Sequence, residues 1–292
     1  MQDGTVQRVA TQVGPAVVGL GRGARGGSGV VVGPDRVATL ARTVHAAEVE
    51  VRFGGGRRAT GQVLGTDWDV DLVLLDVATE GVAPVAWATG GDALGIGAPV
   101  VALGDPAGQG LRVTAGAVAC APRAVRGPRG RLIEGAIEHT APLPRGAGGG
   151  PLVDPEGRLL GLNAVRQRGG LLLAWPAAAL AARADALARG QAAAPPRLGV
   201  ALAPPRLARR LRAAVGLPEQ EGLLVQGVAD GSPAAAAGLR RGDLIVQAAG
   251  RATPGVDDLY AVLDAAGPGP LALAVVRGTE ARELDVVLGE AA

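Results

Sequence analysis

The chain contains no lysine, one cysteine, two histidines and two serines among its 292 residues. Each scarcity excludes something. Cys120 alone rules out an internal disulfide and a cysteine-based metal site. His45 and His139 are too few and too far apart in sequence to suggest a metal centre, so neither a metal nor another cofactor is expected. Every basic residue is arginine, which together with the excess of alanine and glycine reads as coding bias rather than function. Aromatic residues make up only 2%, so cores must be built from valine, leucine and alanine. No stretch reaches the ~18 apolar residues of a membrane helix, and the N-terminus lacks the charged-then-apolar layout of a signal peptide. As written, the chain is expected in the cytoplasm, or in the periplasm or outside the cell if a leader has been removed. The formal net charge is only +2. The isoelectric point of about 9.4 looks high because arginine holds its charge and few groups titrate near neutrality. A nearly neutral protein without a concentrated basic face is not expected to bind nucleic acid.

What is present is a 48% hydrophobic chain long enough for two domains. Residues 6–20 alternate small apolar and polar residues and lead into a glycine-rich turn at 21–29. Short strand-like runs follow at 29–32, 36–40, 49–53, 61–64, 72–77, 99–103, 111–118, 131–137, 151–153, 159–165 and 171–175. Turn signals such as Gly33-Pro34-Asp35 and Gly104-Asp105-Pro106 separate them. Many short, punctuated strands argue for an antiparallel barrel or sandwich. Residues 177–189 are alanine- and leucine-rich between Pro176 and Gly190, which predicts a helix. The Ala/Pro stretch 191–196 reads as a linker between a first domain, 1–190, and a second, 197–292. In the second, strands are expected at 198–202, 223–228, 243–248, 271–276 and 283–288. They bracket helices at 232–238 and 256–266, the latter with Leu259, Val262 and Leu263 on one face.

The segment Gly146-Ala147-Gly148-Gly149-Gly150-Pro151-Leu152 resembles the Gly-Asn-Ser-Gly-Gly-Pro-Leu loop around the nucleophile of trypsin-like serine proteases, with Gly148 in the serine slot. Further pieces fall in order. Gly27-Ser28-Gly29 followed by Val30-Val31-Val32, Thr66-Asp67-Trp68-Asp69-Val70-Asp71-Leu72, Gly104-Asp105-Pro106-Ala107-Gly108 and Leu160-Gly161-Leu162-Asn163 are similar to segments of the HtrA/Deg family. Gly231-Ser232-Pro233 through Gly238-Leu239, then Gly242-Asp243-Leu244-Ile245, looks like the PDZ domain that follows the protease there. The resemblance implies a mainly β fold, a trypsin-like double β-barrel followed by a PDZ domain of α+β type.

A serine protease needs a hydroxyl to attack, an imidazole to take its proton and a carboxylate to orient that imidazole. The resemblance implies Asp71 as the carboxylate. The family's histidine position falls on Arg42, 29 residues earlier, and the nucleophile position on Gly148. Arginine cannot act as the base, because its guanidinium has no free lone pair and keeps its proton. Glycine offers no side chain. His45, His139, Ser28, Ser232 and Cys120 suggest no replacement triad: Ser28 sits in a strand-opening turn, Ser232 caps a helix, and Cys120 reads as a small core residue. Gly146, Ala147 and Gly148 keep the main-chain N–H groups from which an oxyanion hole is made. The run of glycines favours collapse of that loop. Arg42 and Asp71 are expected to pair directly, since a carboxylate built to face a cation would otherwise be buried and unmatched.

In the PDZ-like unit the resemblance implies a peptide groove whose carboxylate loop and walls are Arg197, Leu198, Gly199, Val200, Leu259 and Leu263. An extended peptide would add a strand there with its C-terminus on the loop. Two arginine clusters, Arg123, Arg126, Arg129 and Arg131 in a loop and Arg206, Arg209, Arg210 and Arg212 on a short helix, read as solvated faces. The expectation is a bacterial HtrA-like serine pseudoprotease that binds peptides or protein C-termini as a scaffold or regulator in protein quality control. It would stand alone or in a homo- or hetero-oligomer with HtrA-like paralogues. The rival is an active endopeptidase with a non-standard catalytic group.

Overall fold

The structure, a computed structural model, describes residues 4–21, 26–88, 94–166, 170–191 and 197–289. The chain divides into two compact units, Met1–Ala193 and Ala194–Ala292. Of the expected linker, residues 192–196 lie outside the described residues.

The first unit opens on a helix, not on an alternating stretch. Helix α1 (Thr5–Val13) buries Thr5, Val9 and Val13, one stripe at four-residue spacing. Strand β1 (Val17–Leu20) then runs fully buried. With β2 (Gly27–Gly33), β3 (Arg36–Leu40), β4 (Glu48–Arg52), β5 (Arg58–Asp67) and β6 (Leu72–Asp76) it forms a closed barrel in the order β1-β2-β3-β6-β5-β4. The seam is the antiparallel pairing of β1 with β4. Closure leaves no sheet edge to cover.

The second barrel is built from β7 (Pro99–Gly104), β8 (Arg112–Arg126), β9 (Leu132–His139), β10 (Pro151–Val153), β11 (Leu159–Arg166) and β12 (Leu172–Pro176). Its order is β10-β11-β12-β9-β8-β7, closed by β7 against β10. Helix α2 (Ala177–Ala188) seats Leu180, Ala184 and Leu187 in the same core cluster as the first barrel. Strand β8 extends well past residue 118, where the sequence suggests an end, and carries Pro122 in its interior. Register shifts on both sides of Arg123 absorb a residue that cannot donate to the ladder. Arg123 and Arg126 are therefore strand residues. Arg123 pairs with Glu138, and Arg131 pairs with Asp69 at 2.8 Å, so this cluster is partly neutralised rather than solvated. Cys120 is half-buried, not a core residue, because it lies in this irregular part of the strand.

The second unit is one sheet in the order β13-β14-β15-β17-β18: β13 (Val200–Leu202), β14 (Leu223–Val228), β15 (Leu244–Ala248), β17 (Gly269–Arg277) and β18 (Glu280–Leu288). The short β16 (Arg251–Ala252) pairs off β15. Three helices accompany it, α3 (Pro205–Ala214), α4 (Pro233–Ala236) and α5 (Val256–Ala266). Ser232 caps α4 by accepting from the Ala235 N–H at 3.2 Å. Helix α5 buries Leu259, Val262 and Leu263, the face its spacing predicts.

Candidate functional site: the cleft around Arg42, Asp71 and Gly148

Strand pairing brings the acid and its partner together. Strands β3 and β6 are antiparallel neighbours with Leu40 opposite Leu72, so the residues leaving β3 meet those entering β6. The Ala41 N–H donates to the Asp71 carbonyl at 3.0 Å. Asp71 sits in the left-handed region at φ 57°, which aspartate tolerates better than most side chains. Its carboxylate is fully buried. It accepts from the Arg42 backbone N–H at 3.1 Å, from Arg42 Nε at 2.6 Å and from the Trp175 indole N–H at 3.3 Å. Arg42 Nη2 completes a forked ion pair on Oδ2. The Arg42 side chain is 39% exposed, so it runs from the buried acid to the cleft surface. The expected pair is formed, and it occupies the carboxylate edge that an orienting acid would offer to an imidazole.

The nucleophile-like loop is held, not collapsed. Gly148 accepts from the Ser28 N–H at 2.8 Å, which ties the loop of the second barrel to β2 of the first. The Gly149 N–H donates to the Asn163 carbonyl at 2.8 Å, and the Asn163 N–H donates to the Gly150 carbonyl at 2.9 Å. Asn163 Nδ2 adds bonds to the carbonyls of Gly150 and Pro151 at 3.0 and 2.9 Å. Gly149 adopts φ 88°, and a Cβ there would lie 2.2 Å from the Ser28 carbonyl oxygen, so only glycine fits. Gly148 is different. A Cβ at Gly148 would find Leu40 Cδ1 at 3.5 Å and nothing closer, which is ordinary contact. The missing side chain is a matter of residue identity, not of space.

Of the three N–H groups expected to face an oxyanion, that of Ala147 donates to the Pro144 carbonyl at 3.3 Å, while those of Gly146 and Gly148 have no acceptor among the described residues. Beside them lies a cavity of about 180 Å³, walled by Leu143, Pro144, Ala164 and Leu172. The hydroxyls nearby are committed elsewhere. Ser28 Oγ is buried, accepts from the Asp105 N–H at 2.9 Å and faces the Gly146 carbonyl at 3.4 Å. Thr39 Oγ1 bonds the Ser28 carbonyl at 2.7 Å, and Thr43 Oγ1 the Leu40 carbonyl at 2.6 Å.

Neither imidazole serves these hydroxyls. His45 is exposed. His139 ends β9, fully buried, and neither ring nitrogen has a hydrogen-bond partner. Burial pushes its pKa down to about 4, against a smaller opposing influence of Asn163. Among the described residues no hydroxyl or thiol is hydrogen-bonded to a histidine. Asn163, Trp175 and Ser28 hold the cleft together, a role the sequence does not assign them: Ser28 and Asn163 enter only as parts of family-like segments and Trp175 as a strand residue. The one signal was a lone asparagine in the apolar run 159–165.

In the second unit β13 ends the sheet and, among the described residues, pairs with β14 alone. The N–H groups of Leu198 and Gly199 have no acceptor among the described residues. Gly199 adopts φ 77°, and a Cβ there would lie 2.3 Å from Ser232 Cβ, which makes glycine obligatory in the loop. Leu198, Leu259 and Leu263 are buried in one cluster, with Val200 packed against it from a half-buried position. The three leucines are core residues of this unit. Arg197 is half-buried at the head of the same loop.

Comparison with known proteins agrees with both halves. Residues 27–162 match the family model of the trypsin-like peptidase domain, and residues 224–277 that of the PDZ domain. The Synechocystis sp. protein HhoA, named for a serine protease, is 31% identical over 89% of this chain and 69% of its own length. A periplasmic serine endoprotease of the DegP-like type from Halomonas elongata is 28% identical, and the chain spans 56% of its length. The solved structure of the HtrA-type protease AlgW with a decapeptide superposes with a TM-score of 0.72 at 22% identity, over 97% of this chain and 98% of that one.

Proposed function

The chain belongs to the HtrA/Deg family of trypsin-like serine proteases with a PDZ domain, and from that premise we propose that it is a member that keeps the scaffold without the reaction. One observation carries the proposal: the Arg42 guanidinium holds the buried Asp71 carboxylate while Gly148 presents no atom to attack a carbonyl. A protease built this way lacks both the proton acceptor and the nucleophile. A surviving oxyanion-like backbone gives a residual effect of only ~10³–10⁴ over water, far short of useful amide hydrolysis.

On this reading the working element is the second unit. The open edge of β13, the unpaired N–H groups at Leu198 and Gly199 and the apolar cluster around Leu259 and Leu263 suit an extended peptide ending in a free carboxylate. The protein would act as a peptide-binding scaffold or regulator in protein quality control, in company with active relatives or with copies of itself. The test is casein digestion by the purified chain beside the double variant Arg42→His/Gly148→Ser. The wild type is expected to leave casein intact. Cleavage that survives further purification and vanishes in no variant of Arg42 or Gly148 would decide for an active endopeptidase with an unrecognised nucleophile. Restored cleavage in the double variant shows that the cleft has kept its shape.

A further inference from the structure

Helix α3 carries four arginines and no acid. The sequence reading places all four arginines on a solvated face, and Arg212 departs from it. It retains only 4% of its accessible surface and donates from Nη2 to the Pro218 carbonyl at 3.2 Å. One turn before it, Ala208 is buried in a small cluster with Leu224, Leu244 and Val276. This inward pair fixes how the helix is rolled on its unit. Leu207 and Leu211 each precede an inward residue, so they lie about 100° round the helix from it. Val215 continues their four-residue spacing where the helix ends, and its N–H still donates to the Arg212 carbonyl at 3.2 Å.

The row Leu207, Leu211, Val215 is exposed by 39, 44 and 71%. Among the described residues the other exposed large apolar side chains, Ile96, Leu111, Leu132 and Val287, lie one to a segment. Single exposed apolar residues need no explanation, whereas three in register along one helix leave an apolar stripe unpartnered. Arg206 and Arg210 each precede a leucine of the row and line its outer flank, about 100° further round. Both are exposed, as is Arg209, and none of the three forms an ion pair among the described residues.

Charge selects what covers the stripe. A second copy laid α3 against α3 would set arginines beside arginines, a like-charge contact. An uncharged apolar surface would cover the flank and leave guanidinium groups desolvated without a counter-ion. The partner is therefore an apolar layer with anions along its border. The stripe spans only about 12 Å, where a stable protein interface takes roughly 800 Å² from each partner. A bilayer surface asks for no such shape match. Apolar side chains enter the boundary between headgroups and acyl chains, and arginine stems lie along it with their charge at the phosphates. We infer that α3 docks the second unit on an anionic lipid bilayer, with Leu207, Leu211 and Val215 inserted and Arg206 and Arg210 at the headgroups. The contact is peripheral and reversible, since α3 is far too short to span a membrane. It goes beyond the peptide-binding reading and does not rest on it.

Flotation of the full chain with vesicles of phosphatidylcholine, alone or mixed with phosphatidylglycerol, tests this. Retention is expected on the mixed vesicles, little on phosphatidylcholine alone, and release at high salt. Leu207→Gln/Leu211→Gln alters only exposed positions, so it folds regardless, and it is expected to weaken binding by about tenfold or more. Arg206→Gln/Arg210→Gln, also exposed, is expected to weaken it by a similar factor of about tenfold or more. Val215→Trp supplies a reporter of insertion. Its emission, taken as the difference from wild type, should shift to the blue on mixed vesicles, a change that charge attraction at a distance would not produce. No retention of the wild type on mixed vesicles overturns the inference. So does binding that falls in the arginine variant alone, with the leucine variant at wild-type strength and no blue shift. A concentration-dependent dimer that Leu207→Gln/Leu211→Gln abolishes, without vesicle binding, overturns it too and gives the stripe to a second copy of the chain.

Discussion

Replacing Arg42 by alanine tests the substitution of a guanidinium for an imidazole where it matters most, at the buried acid. The change removes the forked contact on Asp71 and leaves the carboxylate with the residue 42 backbone N–H and the Trp175 indole. Stripping one partner from a fully enclosed ion pair costs about 3–5 kcal/mol, and losing an exposed pair about 0–1 kcal/mol. Asp71 is fully buried and Arg42 is 39% exposed, and two donors survive. The expected loss therefore lies between the two limits, at about 2 kcal/mol. With a urea slope of about 2–3 kcal/mol/M for a domain of this size, the unfolding midpoint falls by about 0.7–1 M. Trp68, Trp87 and Trp175 all lie in the first unit and none in the second, so tryptophan fluorescence follows this unit alone and avoids mixing two transitions. Adding Asp71→Asn to Arg42→Ala should recover part of the loss, with a coupling of about 1–2 kcal/mol across the cycle. A midpoint within about 0.1 M of wild type for Arg42→Ala, or strict additivity in the cycle, refutes the pair as a structural element.

The buried His139 gives the first unit a pH dependence of known sign. Its folded pKa of about 4 lies below the ordinary 6.5, so between those values the unfolded chain binds the proton and the folded one does not. Stability is full above pH 6.5, declines as the pH falls through that window, and loses up to about 3 kcal/mol by pH 4. His139→Leu should flatten the curve over that window, as urea midpoints at pH 7, 5.5 and 4.5 would show. Gly148→Ser is expected to change stability by less than about 1 kcal/mol, because its Cβ has room. Gly149→Ala should cost about 3 kcal/mol or more, combining a left-handed backbone with contact against the Ser28 carbonyl. The reverse order of these two by thermal unfolding would mean the loop has a different shape. Gly199→Ala should displace Ser232 and weaken binding of a fluorescent peptide with a free C-terminus by about tenfold or more, while the same peptide amidated at its end binds weakly to wild type already.

The barrels were legible because their information is local. Short apolar runs between Gly/Pro/Asp turns mark most of the strands, though not β1 or β16, and β3, β10, β14 and α5 fall where periodicity and turns place them. Helix α1 was not, because Val6, Val9 and Val13 are β-branched and sit among polar residues. Its burial stripe becomes visible only once there is a barrel for it to pack on. Strand β8 was cut short because a proline inside a strand ordinarily ends it, and only the register shifts across the hairpin show how it continues. At the cleft, Arg42, Asp71 and Gly148 could be found by aligning motifs. The groups that hold them in place act through tertiary contacts: Trp175 reaches Asp71 over a hundred residues away, Ser28 links the two barrels, and Asn163 bonds to the carbonyls of Gly150 and Pro151 on the neighbouring strand. Arg212 shows the limit most plainly. Its neighbours on α3 are exposed arginines, and only the packing of the helix on Leu224 and Leu244 turns one of the four inward.

The proposal that the chain has no working nucleophile is most directly tested by incubating the purified wild-type chain with a fluorophosphonate and measuring its intact mass. The account predicts a mass unchanged at reagent concentrations that fully label a working serine protease, and labelling of Arg42→His/Gly148→Ser at residue 148. A stoichiometric adduct on the wild type, mapped to any serine or threonine of the first unit, would contradict it.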